Sequence, residues 1–304
     1  MIERISLTPA GVMHDIPLYR FDGSDYIILQ PIEEYDFIKD EMATRANELN
    51  LLSESNPDVL FYAYYVNRPS NMDWYMEAGF RAYDYASFFA QKLQWSNIHF
   101  GEFTIYDADD FMEYFYKLDH HQNHRGSQRS YEEVYEMLSA DLALSPMKTP
   151  VSERDYGDLR ISYYNTAELN PSREEMDIFQ TYEYDLGEYS EYVNGKKMVL
   201  GLEREYADGE ITDDPYFLHQ LAFYGGQTPI VTIEFDNPEG KNLLLLADSQ
   251  GRPIRKLLAS HFKTTYHLDR LQTNEEDLDA FIKEHNIDVV LIMGQTDMFQ
   301  KPAE

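Results

Sequence analysis

The chain has 304 residues, 43% hydrophobic and 14% aromatic, which is enough apolar material for a buried core in one large domain or two small ones. Its formal net charge of -30, from 25 Lys and Arg against 55 Asp and Glu, repels polyanions and argues against nucleic acid as a partner. The absence of cysteine excludes disulfides, a thiolate nucleophile and a thiolate metal site.

Tyr26 to Gln30, β-branched and aromatic between Gly23-Ser24 and Pro31, predicts a short hairpin strand. Apolar residues at helical spacing from about Glu33 to Leu52 predict a helix, with Glu33-Glu34 at its start. Asn56-Pro57-Asp58 breaks the chain before Val59 to Val66, a continuous apolar and aromatic run that predicts a buried strand ending at Asn67. A helix over Ala78 to Leu93, a strand over Ile98 to Tyr106 and a helix over Ser127 to Leu142 follow.

Between about Pro146 and Pro215 the pattern changes to tyrosine-rich pieces separated by Asn170-Pro171, Asn194-Gly195 and Asp208-Gly209, which predicts a β-rich insertion within a single domain spanning 1-304. Alternation resumes with strands at Ile230 to Phe235 and Leu243 to Leu246, a helix from Pro253 to His261, and a short strand near Thr264 to Tyr266. A helix from Glu275 to His285 and a strand at Val289 to Met293 complete it. Alternating strands and helices predict a mostly parallel sheet covered on both faces.

Two distant pieces suggest chemistry. Leu243 to Ala247 runs into Asp248-Ser249, placing Ser249 at the carboxyl end of a strand, where open α/β sheets carry their active sites. The run Tyr116-Lys117-Leu118-Asp119-His120-His121-Gln122 offers a carboxylate and an imidazole two residues apart, able to face each other on an extended segment while His120 points away. Ser249 as nucleophile, His121 as base and Asp119 as orienting acid would form a triad. The same run, with His124, also supplies possible zinc ligands; Ser249 also suits a helix cap.

Oxyanion charge is expected on the amide of Ser249 or its neighbour, helped by Gly225 and Gly226 of Tyr224-Gly225-Gly226-Gln227 or by the Asn67 side chain. Arg252, Arg255 and Lys256 after Ser249, and Arg125 and Arg129 after the histidines, are placed to hold polar or anionic substrate groups or to pair with neighbouring acids. Among these residues Gln122, Arg252 and Tyr224 are the candidates for substrate contact.

Tyr116 to His121 followed by Gly126 resembles the signature of the DHHW protein family, an Asp-His-His-Trp run with a glycine shortly after. Ala222 to Gly226, Lys241 to Ser249, Leu257 to Phe262 and Ile282 to Ile292 resemble that family in order, so the likeness covers about residues 20 to 293. The family is similar to SGNH-hydrolase-like O-acetyltransferases of bacterial exopolysaccharides such as alginate. The resemblance implies an α/β fold, a three-layer α/β/α sandwich with a mostly parallel sheet. It also implies Ser249, His121 and Asp119 in the roles above, and acetyl transfer to or from sugar hydroxyls through an acyl-serine. Gln122 stands where the family carries its Trp.

The expected function is therefore a carbohydrate-directed O-acetyltransferase or acetylesterase, needing neither cofactor nor metal. Its substrate would be a carbohydrate or other acetylated small molecule, and its partner a membrane-associated polysaccharide machinery. Two other readings stay open: a catalytically silent glycan-binding or cell-surface polymer assembly protein, suggested by Gln122 and 25 tyrosines, and an Asp/His zinc site. The resemblance implies an extracytoplasmic or cell-surface location. The sequence shows no signal or membrane-spanning run, which leaves the cytoplasm open.

Overall fold

The computed structural model describes residues 3–5, 18–20, 24–76, 81–94, 98–161, 172–212, 214, 217–226, 228–269 and 277–301. Strands β1 (Glu3–Ile5), β2 (Leu18–Arg20) and β3 (Ile27–Leu29) make a small antiparallel sheet, so the strand expected at Tyr26 to Gln30 is its third member. Helix α1 (Asp36–Ser55) follows, burying Ile38, Met42, Ala46 and Leu49 at the three- and four-residue spacing that the sequence displays. Then come β4 (Leu60–Val66), the short α2 (Asp73–Met76), α3 (Tyr85–Ala90), β5 (Ile98–Phe103), α4 (Ala108–Tyr114) and α5 (His124–Ser139).

The tyrosine-rich stretch forms a two-stranded antiparallel ribbon, β6 (Ser152–Ile161) and β7 (Asp177–Glu183), followed by β8 (Tyr189–Val193), β9 (Lys196–Lys197) and α6 (Glu203–Asp208). Asn194 and Gly195, both at positive φ, turn β8 into β9 as their dipeptide predicts. The remaining elements are α7 (His219–Tyr224), β10 (Ile230–Phe235), β11 (Asn242–Ala247), α8 (Arg255–Ala259), β12 (Thr264–Leu268), α9 (Leu278–Glu284) and β13 (Val289–Gly294).

The central sheet has eight strands in the order β5-β4-β13-β11-β12-β10-β8-β9. Its first five strands pair in parallel and the last three antiparallel, so β8 and β9 extend the main sheet rather than the ribbon. Strict side-chain alternation splits the core in two. Phe61, Leu244, Leu246, Val290 and Ile292 face α1, α3 and α9, while Tyr62, Leu243, Leu245, Ala247 and Met293 face α5 and α8. The fold is thus a three-layer α/β/α sandwich around a mostly parallel sheet. Each leucine of β11 is fully buried, worth about 1.5–3 kcal/mol.

Several expected elements differ in extent. The helix expected over Ala78 to Leu93 is α3 alone, because Asp84 caps it by accepting the Ser87 amide; its expected start lies outside the described residues. The start expected at Glu275 and the turn at Asn170-Pro171 also lie outside them, and α9 begins where Asp277 accepts the Ala280 amide. The helix after Ser249 starts at Arg255 rather than Pro253. Among the described residues no helix is long and apolar enough to cross a membrane.

Candidate active site

Ser249 stands just past β11, in a turn that Asp248 builds: the Gln250 amide donates to Asp248 Oδ1 at 2.8 Å and the Gly251 amide to the Asp248 carbonyl at 3.2 Å. Asp248 Oδ2 accepts the Gln295 amide at 2.9 Å, tying this turn to the end of β13. That approach requires glycine at 294, since a Cβ there would lie 2.5 Å from Asp248 Oδ2. Burial pushes Asp248 up to about 6, against the two amides that favour its charged form.

The second piece is the loop between α4 and α5. Phe115 and Gln122 form an antiparallel bridge across its neck, and the Asn123 amide donates to the Tyr114 carbonyl at 2.9 Å. Asn123 then caps α5 by accepting the amides of Arg125 and Gly126. The first turn of α5 presses so closely on this neck that a Cβ on Gly126 would lie 2.3 Å from the Tyr114 carbonyl oxygen. The glycine spaced after the histidines therefore allows the loop to close.

Inside this loop Asp119 Oδ1 accepts the His121 amide at 3.0 Å and lies 2.6 Å from His121 Nδ1. The other imidazole nitrogen, Nε2, lies 2.8 Å from Ser249 Oγ. With the Nδ1 proton facing a carboxylate, Nε2 presents its lone pair to the hydroxyl. Burial pulls the Asp119 carboxyl upward, but the His121 charge and its hydrogen bonds outweigh that and hold it below the usual range. Burial, reinforced by His121, pushes His120 down to about 3, keeping it neutral.

Gln250, which belongs to no recognisable sequence motif, fastens the two pieces together. Its Nε2 contacts the His120 carbonyl and its Oε1 the Gln122 amide, both at 3.4 Å. The place of Gln295 likewise follows from strand pairing, which residue order does not display. The β11–β13 ladder ends at Ala247↔Met293, and Ser249 and Gln295 follow it at the same end of the sheet.

Other expected residues are engaged elsewhere. The Asn67 amide donates to Glu102 Oε2 and to the Phe103 carbonyl, both at 3.1 Å, so it braces β4 against β5 instead of serving an oxyanion. The Gly225 amide closes α7 on the Ala222 carbonyl at 3.4 Å, and the residue packs on Leu200 and Gly201, while Gly226 lies against Leu221. The amide of Gln250, the neighbour of Ser249, is held by Asp248. Gln122 is buried and accepts from Ser130 Oγ at 3.0 Å, so it braces α5 rather than lining a surface.

Arg252 pairs at 2.7 Å with fully buried Asp269, which removes it from substrate contact. Arg255 donates to the Tyr224 carbonyl and faces Glu191, and Lys256 pairs with Glu203. Arg129 pairs with Glu133 beneath Phe103, and Arg125 is exposed on α5. Tyr224 lines a groove of about 740 Å³ between the ribbon, α5 and α8, together with Tyr156, Tyr182, Tyr184, Pro253 and Ile254. The groove reaches the turn after Ser249 through Pro253 and Ile254.

For zinc, Asp119, His120 and His121 offer ligand atoms within 4.8 Å of one another. His124 turns to Glu153 and Tyr182 instead. Both His121 nitrogens already face Asp119 and Ser249, so a metal there would have to displace one of them.

No protein-family model and no curated protein sequence matches the chain. Solved structures do. PatB1 of Bacillus cereus superposes with a TM-score of 0.73 at 17% identity, covering 99% of this chain and 98% of that one. PatB1 with a sulfonyl adduct gives 0.71 at 16% identity, over 94% and 96%. A DHHW family protein from Eubacterium siraeum DSM 15702 gives 0.69 at 20% identity, over 99% and 96%. The resemblance read from the sequence therefore holds for the fold along nearly the whole chain.

Proposed function

We propose that the chain is a serine-dependent acyl-transfer enzyme, an O-acetyltransferase or acetylesterase acting on carbohydrate hydroxyls, with residues 1–304 working as a single domain. The hydrogen-bonded sequence from Asp119 through His121 to Ser249 carries this reading. Ser249 Oγ attacks the acetyl carbonyl carbon as its proton passes to His121 Nε2, and Asp119 stabilises the resulting imidazolium. The tetrahedral intermediate collapses when His121 returns that proton to the departing alkoxide, leaving acetyl-Ser249.

The second half runs in the opposite sense. A sugar hydroxyl or water gives its proton to His121 and attacks the acetyl-serine carbonyl, and collapse returns the proton to Ser249. A sugar acceptor gives a transferase and water an esterase; the outcome depends on how well the bound sugar excludes water. The tyrosine-lined groove supports a carbohydrate substrate, because aromatic faces pack against sugar rings while polar tips bind hydroxyls. A structural neighbour that forms a sulfonyl adduct supports a reactive nucleophile in this fold. Work outside the cytoplasm beside a membrane-associated polysaccharide machinery belongs to the same proposal.

The test is covalent labelling. Treated with an aryl sulfonyl fluoride, the protein should gain one adduct on the peptide containing Ser249, and the Ser249→Ala variant none. It should also release nitrophenol from p-nitrophenyl acetate through an acetyl-Ser249 visible by mass spectrometry. No adduct and no hydrolysis would leave a glycan-binding protein; activity lost with bound zinc on chelation would replace the triad by a metal.

A further inference from the structure

Among the described residues, the side-chain Nε2 of Gln295 is buried and has no hydrogen-bond partner. Gln295 as a whole is only 5% exposed. A buried amide donor left unmatched costs stability, so its retention calls for a use. Other buried donors share that condition, Gln122 Nε2 and Arg68 Nε among them. What distinguishes Gln295 is its surroundings.

Three observations converge on it. Its backbone amide is held by Asp248, the residue before Ser249. The β11–β13 ladder ends at Ala247↔Met293, so Ser249 and Gln295 each stand two residues beyond its last rung, at the same end of neighbouring strands. Finally, Gln295 lines a recess of about 20 Å³ with Asp119, His120, Arg68, Phe111 and Ile28, space for one water-sized group.

We infer that Gln295 is a side-chain oxyanion donor of the site, its carboxamide N–H binding the oxygen of the acyl group on Ser249. This rests on the acyl-transfer reading above and supplies a donor where the Asn67 side chain and the Gly225 amide are engaged elsewhere. The donor is already desolvated and the backbone that carries it is held by Asp248, which limits the reorganisation needed when charge develops on the oxygen. Arg68, whose guanidinium also reaches Asp297, adds positive potential to the same recess.

The experiment replaces Gln295 by Met, which keeps the volume and removes the donor, and by Glu, which sets a negative charge at the oxygen. Both should lower kcat for p-nitrophenyl acetate by about 10²–10³-fold, Glu the more, with KM changed by less than about threefold. Gln295→Met should melt at or above the wild-type temperature, because an unmatched buried donor is gone. A kcat within about threefold of wild type in the Met variant overturns the proposal. A melting temperature that falls along with the activity does so too, by assigning Gln295 a packing role. If wild-type protein neither hydrolyses the ester nor takes a sulfonyl group on Ser249, the acyl-transfer reading itself falls and this inference with it.

Discussion

His121 Nε2 lies 2.8 Å from Ser249 Oγ although 128 residues separate them in the chain. Two rigid attachments make that contact reproducible: the strand end fixed by Asp248, and the loop neck fixed by the Phe115–Gln122 bridge and the Asn123 cap. The consequences of each attachment can be measured.

Asp119→Asn should leave the fold intact and lower kcat for acetyl-ester hydrolysis by about 10³–10⁴-fold, because an amide can stabilise neither the required tautomer nor the imidazolium. The carboxyl is held below its ordinary range in the fold. Its contribution to stability is therefore present above the unfolded value and disappears as pH falls through the folded one. Acid unfolding of wild type and variant should converge below about pH 4; curves that stay parallel would show that the His121 pairing gives Asp119 no stabilising role.

Asp248 has the opposite sign. Its folded value of about 6 exceeds the unfolded value of about 3.9, so the folded state holds the extra proton and stability drops as pH rises through that window. Asp177, also raised to about 6 by burial, adds in the same direction. Relative to Asp248→Asn, wild-type protein should lose on the order of 2–3 kcal/mol between pH 4 and 7, followed by thermal melting across that range. A flat difference would show that Asp248 is charged throughout.

Gly126→Ala should destabilise by roughly 2–3 kcal/mol, since the new methyl meets a backbone carbonyl that cannot yield without moving the loop neck. The same displacement should pull His121 off Ser249. Melting and sulfonylation rate should fall together, and a variant labelled as fast as wild type would contradict the link between neck and site.

Arg252→Ala should behave as a stability mutation. Removing the guanidinium takes from buried Asp269 its ion-pair partner at a cost of about 3–5 kcal/mol, whereas a substrate-binding arginine would raise KM in a protein of normal melting temperature. Denaturant unfolding beside ester kinetics separates the two.

Much of this arrangement was legible in residue order. Leu60 to Val66, Leu243 to Ala247 and Val289 to Met293 read as buried strands because helices cover both faces, leaving no polar side to interrupt the run. Asp119, His121 and Ser249 were visible because two short motifs carried a carboxylate, an imidazole and a hydroxyl, which the fold brings within hydrogen-bond distance. The supporting residues were not. Whether Arg252 meets a sugar or Asp269, and whether Asn67 faces a ligand or β5, depends on tertiary neighbours that local spacing does not encode. Gln295 depends on the register between two strands more than forty residues apart in the chain.

The position of β13 has a bearing on synthesis. Strand β13, made after every other described strand, is inserted between β4 and β11, so among the described strands it joins the pair made early on the ribosome to the strands made late. Before it emerges, any sheet formed around β4 and any formed around β11 would carry an open edge, the second along the strand that leads to Ser249. A ribosome stalled just short of Val289 would then display two adhesive edges suited to capture by a chaperone.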